Sequence, residues 1–83
     1  MKLAFTFEWF EAYESLDAPV KRQILSKLKE VSRAVQWPHE ALVGKQFKGL
    51  FKLRVGDYRL IYRIADRDKI DFLYLGHRRE IYH

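Results

Sequence analysis

Hydrophobic residues change their period twice along this chain. Residues 3–7 alternate, with Leu3, Phe5 and Phe7 on one side and Ala4 and Thr6 on the other, the period of two that a strand shows. Residues 8–16 carry Trp9, Phe10, Tyr13 and Leu16 at helical spacing, which predicts a short first helix. A second, amphipathic helix is predicted over about 18–35. Asp17 suits its N-cap and Pro19 its first turn. Val20, Ile24, Leu28, Val31 and Val35 recur every three or four residues, while Lys21, Arg22, Lys27, Lys29, Glu30 and Arg33 occupy the other faces. Trp37-Pro38 stops this helix, because the residue before a proline avoids the helical region. Residues 38–49, with Gly44, Lys45, Lys48 and Gly49, read as a basic connection.

From residue 50 the period returns to two, in LFKLRV (50–55), YRLIYRI (58–64) and IDFLYLG (70–76). Gly56-Asp57, with glycine first, suits a type II′ hairpin turn, and Ala65 to Lys69 reads as a longer polar loop. The pattern predicts one α+β domain over 1–83: an N-terminal strand, two helices as a hairpin, then a three-stranded antiparallel meander with the helices packed on one sheet face. The turn sets the register, so that Val55 faces Tyr58, Arg54 faces Arg59, Leu53 faces Leu60 and Lys52 faces Ile61. Pairing Ile64 with Ile70 continues it, placing Leu60 beside Tyr74. One face then holds Phe51, Leu53, Val55, Tyr58, Leu60, Tyr62, Ile64, Ile70, Phe72 and Tyr74 and receives the helices. The other holds Lys52, Arg54, Arg59, Arg63 and Asp71, with Ile61, Leu73 and Leu75 between them.

Composition narrows the class. With 83 residues, 48% hydrophobic and 16% aromatic, the chain supports one small core and is not intrinsically disordered. Cys is absent, which removes disulfides, thiolate catalysis and Cys-based zinc sites. No 18-residue apolar run spans a membrane, and MKLAFTFEWFEAYE is not a signal peptide. The expectation is a soluble cytoplasmic protein without a membrane partner. Lys and Arg number 16 against 11 Asp and Glu, a formal charge of +5, which favours a polyanion or an acidic protein as partner.

The pattern turns that total charge into a location. Arg54 opposite Arg59, with Lys52 diagonal to them, has no acidic neighbour in the expected register, and like charges directly opposite one another destabilise a sheet. Such an arrangement suits an anion site. After Gly76 the tail His77, Arg78, Arg79, Glu80, Ile81, Tyr82, His83 emerges beside Asp57-Tyr58-Arg59 and adds to the cluster. Guanidinium and ammonium groups bind phosphate. Metal-free RNA cleavage needs a base for the ribose 2′-OH, cations for the phosphorane charge and an acid for the 5′-oxygen. His77 or Tyr82 is placed to handle protons, and Lys52, Arg54, Arg59 and Arg78 to stabilise charge. Other chemistries fit poorly. Gly44, Gly49, Gly56 and Gly76 are isolated and form no phosphate loop. His39, His77 and His83 lack metal-ligand spacing, so neither metal nor cofactor is expected. Glu8, Glu11, Glu14 and Asp17 read as a helix surface, and Ser15, Ser26 and Ser32 lack a base.

KGLFKLRVGDYRLIYRI (48–64) followed by LGHRREIYH (75–83) resembles the RelE/ParE superfamily of type II toxin–antitoxin toxins, and the preceding strand and helices fit that family's order. The resemblance implies a ribosome-dependent mRNA endonuclease that enters the ribosomal A site. By the same resemblance Lys52, Arg59, Arg78 and Tyr82 are the catalytic residues, Tyr82 as general base or stacking group. Arg54, Lys48, His77 and Arg79 are the expected RNA- or phosphate-binding residues beside them. A second family lysine two positions before Lys52 is replaced by Leu50, and only His83 follows Tyr82. The family implies as partners an acidic antitoxin, the ribosome and mRNA, with no small-molecule substrate. Two alternatives stand beside this reading: a ParE-type inhibitor of DNA gyrase, and a degenerate member that only binds antitoxin or nucleic acid.

Overall fold

The computed structural model describes residues 1–34 and 40–81. In chain order they form β1 (Lys2–Phe5), α1 (Phe7–Glu14), α2 (Ala18–Arg33), a two-residue β2 (Glu40–Ala41), a 3-10 turn (Lys45–Phe47), β3 (Phe51–Val55), β4 (Tyr58–Asp66) and β5 (Lys69–His77). The three predicted C-terminal strands form an antiparallel meander, and two further strands complete a mixed five-stranded sheet of order β1-β5-β4-β3-β2. β1 runs parallel to β5, with Phe5 opposite Phe72. β2 falls within the expected connection and pairs Glu40 with Lys52 and Ala41 with Phe51.

The helices cover one face, as the period predicts. Trp9 from α1 and Ile24, Leu28 and Val31 from α2 pack against Leu53, Val55, Leu60, Tyr62, Ile70, Phe72 and Leu75. Trp9 stacks on Tyr13 at 5.3 Å between ring centroids, and Phe5 stacks on Phe72 at 5.3 Å. No helix among the described residues is long and apolar enough to cross a membrane.

The helix ends differ from expectation in instructive ways. α1 starts at Phe7, one residue early, because the Thr6 hydroxyl accepts a hydrogen bond from the Trp9 N–H at 3.2 Å and so satisfies an otherwise orphaned donor. Asp17 is the N-cap of α2, but its side chain makes no capping bond; its carbonyl accepts from the Lys21 N–H at 3.0 Å. α2 ends at Arg33, where Ala34 turns extended at φ −72°, ψ 137°. Val35 and the Trp37-Pro38 stop lie outside the described residues.

One correction governs the rest of the sheet. Ile61 pairs with Tyr74 and Tyr62 with Phe72, so Leu73 is an extra residue in β5, a β-bulge. A bulge of one residue exchanges the faces of everything beyond it. Leu75, not Tyr74, therefore lies opposite Leu60 in the core, and Tyr74 stands on the open face, 53% exposed. The bulge is clasped from the residue between β1 and α1: the Thr6 hydroxyl donates to the Leu73 carbonyl at 2.6 Å, and the Thr6 N–H donates to the Phe72 carbonyl at 3.0 Å. A second register shift passes over Ala65, so β4 and β5 extend to pair Asp66 with Lys69 and the expected loop is shorter.

Candidate functional site

The β3–β4 hairpin positions the site. Gly56 has φ 58°, and among the described residues no other amino acid than glycine has positive φ, so Asp57 keeps negative φ and the turn has the backbone signature of type II′. The register follows: Val55 opposite Tyr58, Arg54 opposite Arg59, Leu53 opposite Leu60 and Lys52 opposite Ile61. Because Leu53, Val55 and Leu60 are buried under the helices, alternation sends Lys52, Arg54 and Arg59 to the open face.

This cluster has an acidic neighbour, contrary to the expected register. Glu40 on β2 stands opposite Lys52, and its Oε1 lies 2.6 Å from Arg54 Nη2 and 3.6 Å from Lys52 Nζ. That oxygen is sealed from solvent, with the two cations as its ion-pair partners. With the Arg54 side chain 61% exposed and Glu40 39% exposed, such a pair contributes about 0–1 kcal/mol. Glu40 balances part of the repulsion and can swing away at little cost. Its signal in the sequence was its being the one carboxylate between Glu30 and Asp57.

A second group gathers at the turn. Arg59 Nη1 donates to the carbonyls of Gly56 and Tyr58, each at 2.9 Å. The Arg78 N–H donates to the Asp57 carbonyl at 2.8 Å, and its Nε lies 3.5 Å from Asp57 Oδ1. The chain then closes a turn in which the N–H groups of Glu80 and Ile81 both donate to the His77 carbonyl. Ile81 folds over Gly76, where an added Cβ would come within 2.9 Å of Ile81 Cδ1, and Gly76 is opposite Arg59. The C-terminal turn is thereby latched beside the row.

The expected residues divide into those the sheet brings together and those it does not. Lys52, Arg54, Arg59 and Arg78 lie around the hairpin, with Glu40 and Asp57 as counter-ions. His77 does not share their face. The bulge that turns Tyr74 outward sets His77 opposite Tyr58, against whose ring its imidazole stands edge-on at 5.5 Å, beside Leu16 of the helical side. Its Nδ1 accepts the Arg79 N–H at 3.1 Å. Lys48, after the 3-10 turn, and Arg79 are both exposed. Tyr82 lies outside the described residues. Among the described residues no three of His, Asp and Glu converge as metal ligands.

The open face also carries a feature that alternation alone did not reveal. Leu42, Phe47, Leu50, Ile61, Tyr74 and Ile81, with Glu8 and Glu80, line a cleft of about 440 Å³, and Lys52 stands opposite Ile61 in the sheet. Chemically, the surface combines guanidinium and ammonium groups suited to phosphate with an apolar hollow.

The sequence matches over residues 7–82 the family described as the ParE toxin of type II toxin–antitoxin systems. No curated protein matches it. Among solved structures, it is similar to a chain of the RelBE2 toxin–antitoxin complex from Mycobacterium tuberculosis, at 25% identity and a TM-score of 0.77, covering 93% of this chain and 90% of that one. It is similar to the isolated E. coli RelE toxin at 24% identity and a TM-score of 0.72, covering 98% and 89%. The E. coli protein YafQ follows at 17% identity and a TM-score of 0.68, covering 99% and 98%. The last two likenesses carry the fold alone. The helix-backed sheet and a match spanning nearly the whole chain give one assignment: the protein belongs to the ParE toxins of type II toxin–antitoxin systems, within the RelE/ParE superfamily.

Proposed function

We propose that this toxin is a ribosome-dependent mRNA endonuclease that acts without a metal ion and arrests translation in the cytoplasm. The observation that supports the reading is the grouping of Lys52, Arg54 and Arg59 on the open side of one hairpin, with Arg78 held at its turn and Glu40 and Asp57 as the ion-pair partners among the described residues. Attack of a ribose 2′-oxygen on the adjacent phosphorus forms a phosphorane, and breaking the bond to the 5′-oxygen leaves a 2′,3′-cyclic phosphate. Charge grows on the non-bridging oxygens between these events. Fixed cations aimed at that charge accelerate the reaction, each typically by about 10²–10³-fold. Arg59 is already oriented by two carbonyls, and Lys52 and Arg54 turn to phosphate as Glu40 gives way. We assign Arg78, paired with Asp57 at the turn, to the same charge. Tyr82, three residues past Arg79, is the residue we assign to the 2′-OH proton or to stacking on the base.

The partner implied is an antitoxin with an acidic segment, which the net charge of +5 favours. The solved relatives include toxin–antitoxin complexes from M. tuberculosis and E. coli. The match to ParE toxins favours a second reading, inhibition of DNA gyrase by protein binding alone. Mapping mRNA 5′ ends in translating extracts separates the two, run beside a gyrase supercoiling assay. Wild-type protein should produce new 5′ ends within codons and leave supercoiling unchanged. Arg59→Ala should remove the cuts, lowering the rate by about 10²-fold or more, while antitoxin binding persists. Growth arrest by Arg59→Ala with an unaltered RNA profile would sink the nuclease reading.

A further inference from the structure

The cleft on the open face owes its tyrosine to the bulge at Leu73. With that residue unpaired, Tyr74 leaves the helical side and stands opposite Ile61, and the Thr6 hydroxyl fixes the bulge through the Leu73 carbonyl. Bulges next to functional sites often serve to re-aim a side chain. Here the result is a half-exposed tyrosine on the same cross-strand row as Lys52 and Ile61, with about 10 Å of backbone separation between Lys52 and Tyr74, two strand spacings. Arg54, Arg59 and Gly76 form the adjoining row.

Charge differs between the cleft and the sheet beside it. Glu8 and Glu80 line the cleft, whereas Lys52, opposite its lining residue Ile61, and Arg54 and Arg59 in the adjoining row are cationic. A nucleotide fits this polarity: phosphate on the cations, a flat apolar base against the phenol ring, and base amino groups towards the carboxylates. An acidic peptide, the other ligand that a basic row attracts, would bring its own carboxylates against Glu8 and Glu80. The ring of Tyr74, with Phe47 also in the lining, offers an aromatic face to a base.

We propose that this cleft is a nucleobase subsite, in which Tyr74 stacks on one base of a single-stranded RNA whose phosphate lies on the cations Lys52, Arg54 and Arg59. The inference rests on the RNA-cleaving reading and adds to it a residue that determines which nucleotide is held.

The test is single-turnover cleavage of a short mRNA in the A site of programmed ribosomes, with intact mRNA and with abasic nucleotides at successive positions around the cut. Tyr74→Ala and Tyr74→Leu should raise the half-saturating toxin concentration about tenfold, the scale of losing one base–aromatic stack; Tyr74→Phe should match wild type. The leucine variant keeps the cleft apolar, so a shared loss points to the ring and not to folding. One abasic position should reproduce the loss in wild type and add nothing in Tyr74→Ala. Wild-type behaviour of both Tyr74→Ala and Tyr74→Leu, with Arg59→Ala inactive, overturns the subsite and leaves the nuclease reading standing. Unchanged cleavage with weakened antitoxin binding assigns the cleft to protein and overturns it too. Absence of cleavage by wild type fells the nuclease reading itself, and the subsite with it.

Discussion

β3 and β4 present two faces built from interleaved residues, and the two are held by different forces. Leu53, Val55, Leu60 and Tyr62 turn to the helices and are at most 8% exposed. Burial of side chains this size contributes about 1.5–3 kcal/mol each. Lys52, Arg54 and Arg59, their immediate neighbours in sequence, turn the other way and meet Glu40 or backbone carbonyls. Partly exposed ion pairs contribute about 0–1 kcal/mol. Most stability therefore resides on one side of the sheet and adaptability among the charged residues of the other, where Ile61 is itself buried. Substitutions on the helical face report on folding, and those of the open-face cations report on ligand binding.

The contrast is broken most severely at Phe72. It is fully buried, stacked on Phe5 and close to Tyr62 and Trp9, and it joins β1 and α1 to the meander. Phe72→Ala should cost about 3–5 kcal/mol, a large share of the roughly 5–15 kcal/mol that holds a small domain folded. Thermal denaturation should show a midpoint lower by about 15–30 °C. A drop of only a few degrees would mean that the aromatic cluster around Phe5 and Trp9 does not carry the core.

How much of this was readable in the chain depends on whether one pattern outcompetes its alternatives. At Gly56-Asp57 it does: shifting the register by one residue would bury Arg54 and Arg59 and expose Leu53 and Leu60, a large penalty. The cation row was legible for that reason. In IDFLYLG it does not. Leu73, Tyr74 and Leu75 are all apolar, so either phase of alternation serves, and the choice falls to a hydroxyl 67 residues away on Thr6. That one bulge displaced Tyr74 and Leu75 from their expected faces and took His77 out of the expected cluster. β2 escaped notice because two residues have no period. Its Glu40 removed the supposed isolation of Arg54 without changing the face on which Arg54 stands.

Gly76 sharpens the boundary between the faces at an intermediate scale. It lies at the end of β5 with Ile81 packed over it, and its lack of a side chain lets the C-terminal turn close on the open face. Gly76→Ala meets only the flexible end of Ile81, whereas Gly76→Val drives two methyl groups into it. The valine variant should lose about 1–3 kcal/mol, the usual range for overpacking, and should release residues 78–81 to faster amide hydrogen exchange. The core amides of Leu60 and Phe72 should slow or quicken only with that global change. Equal protection of the tail in both variants would show that Ile81 is not the latch.

The smallest expected effect on stability, and the most informative about the open face, belongs to Glu40→Gln. The amide keeps the shape of the side chain and removes the charge that lies 2.6 Å from Arg54 and 3.6 Å from Lys52. Because the pair is partly exposed, folding should change by less than about 1 kcal/mol, within a few degrees of wild type. Ligand binding should move in a definite direction. If Glu40 occupies the place of a phosphate until one arrives, its neutralisation removes a competitor, and affinity for a short single-stranded RNA should rise by a few-fold at low salt. The dependence of log affinity on log salt should also steepen by up to about 0.7, the increment for one more phosphate contact on a single strand. A fall in affinity would instead make Glu40 the residue that holds Lys52 and Arg54 in their binding geometry. Unchanged affinity and slope would remove Lys52 and Arg54 from the phosphate path and leave Arg59 and Arg78, at the turn, to bind the anion alone.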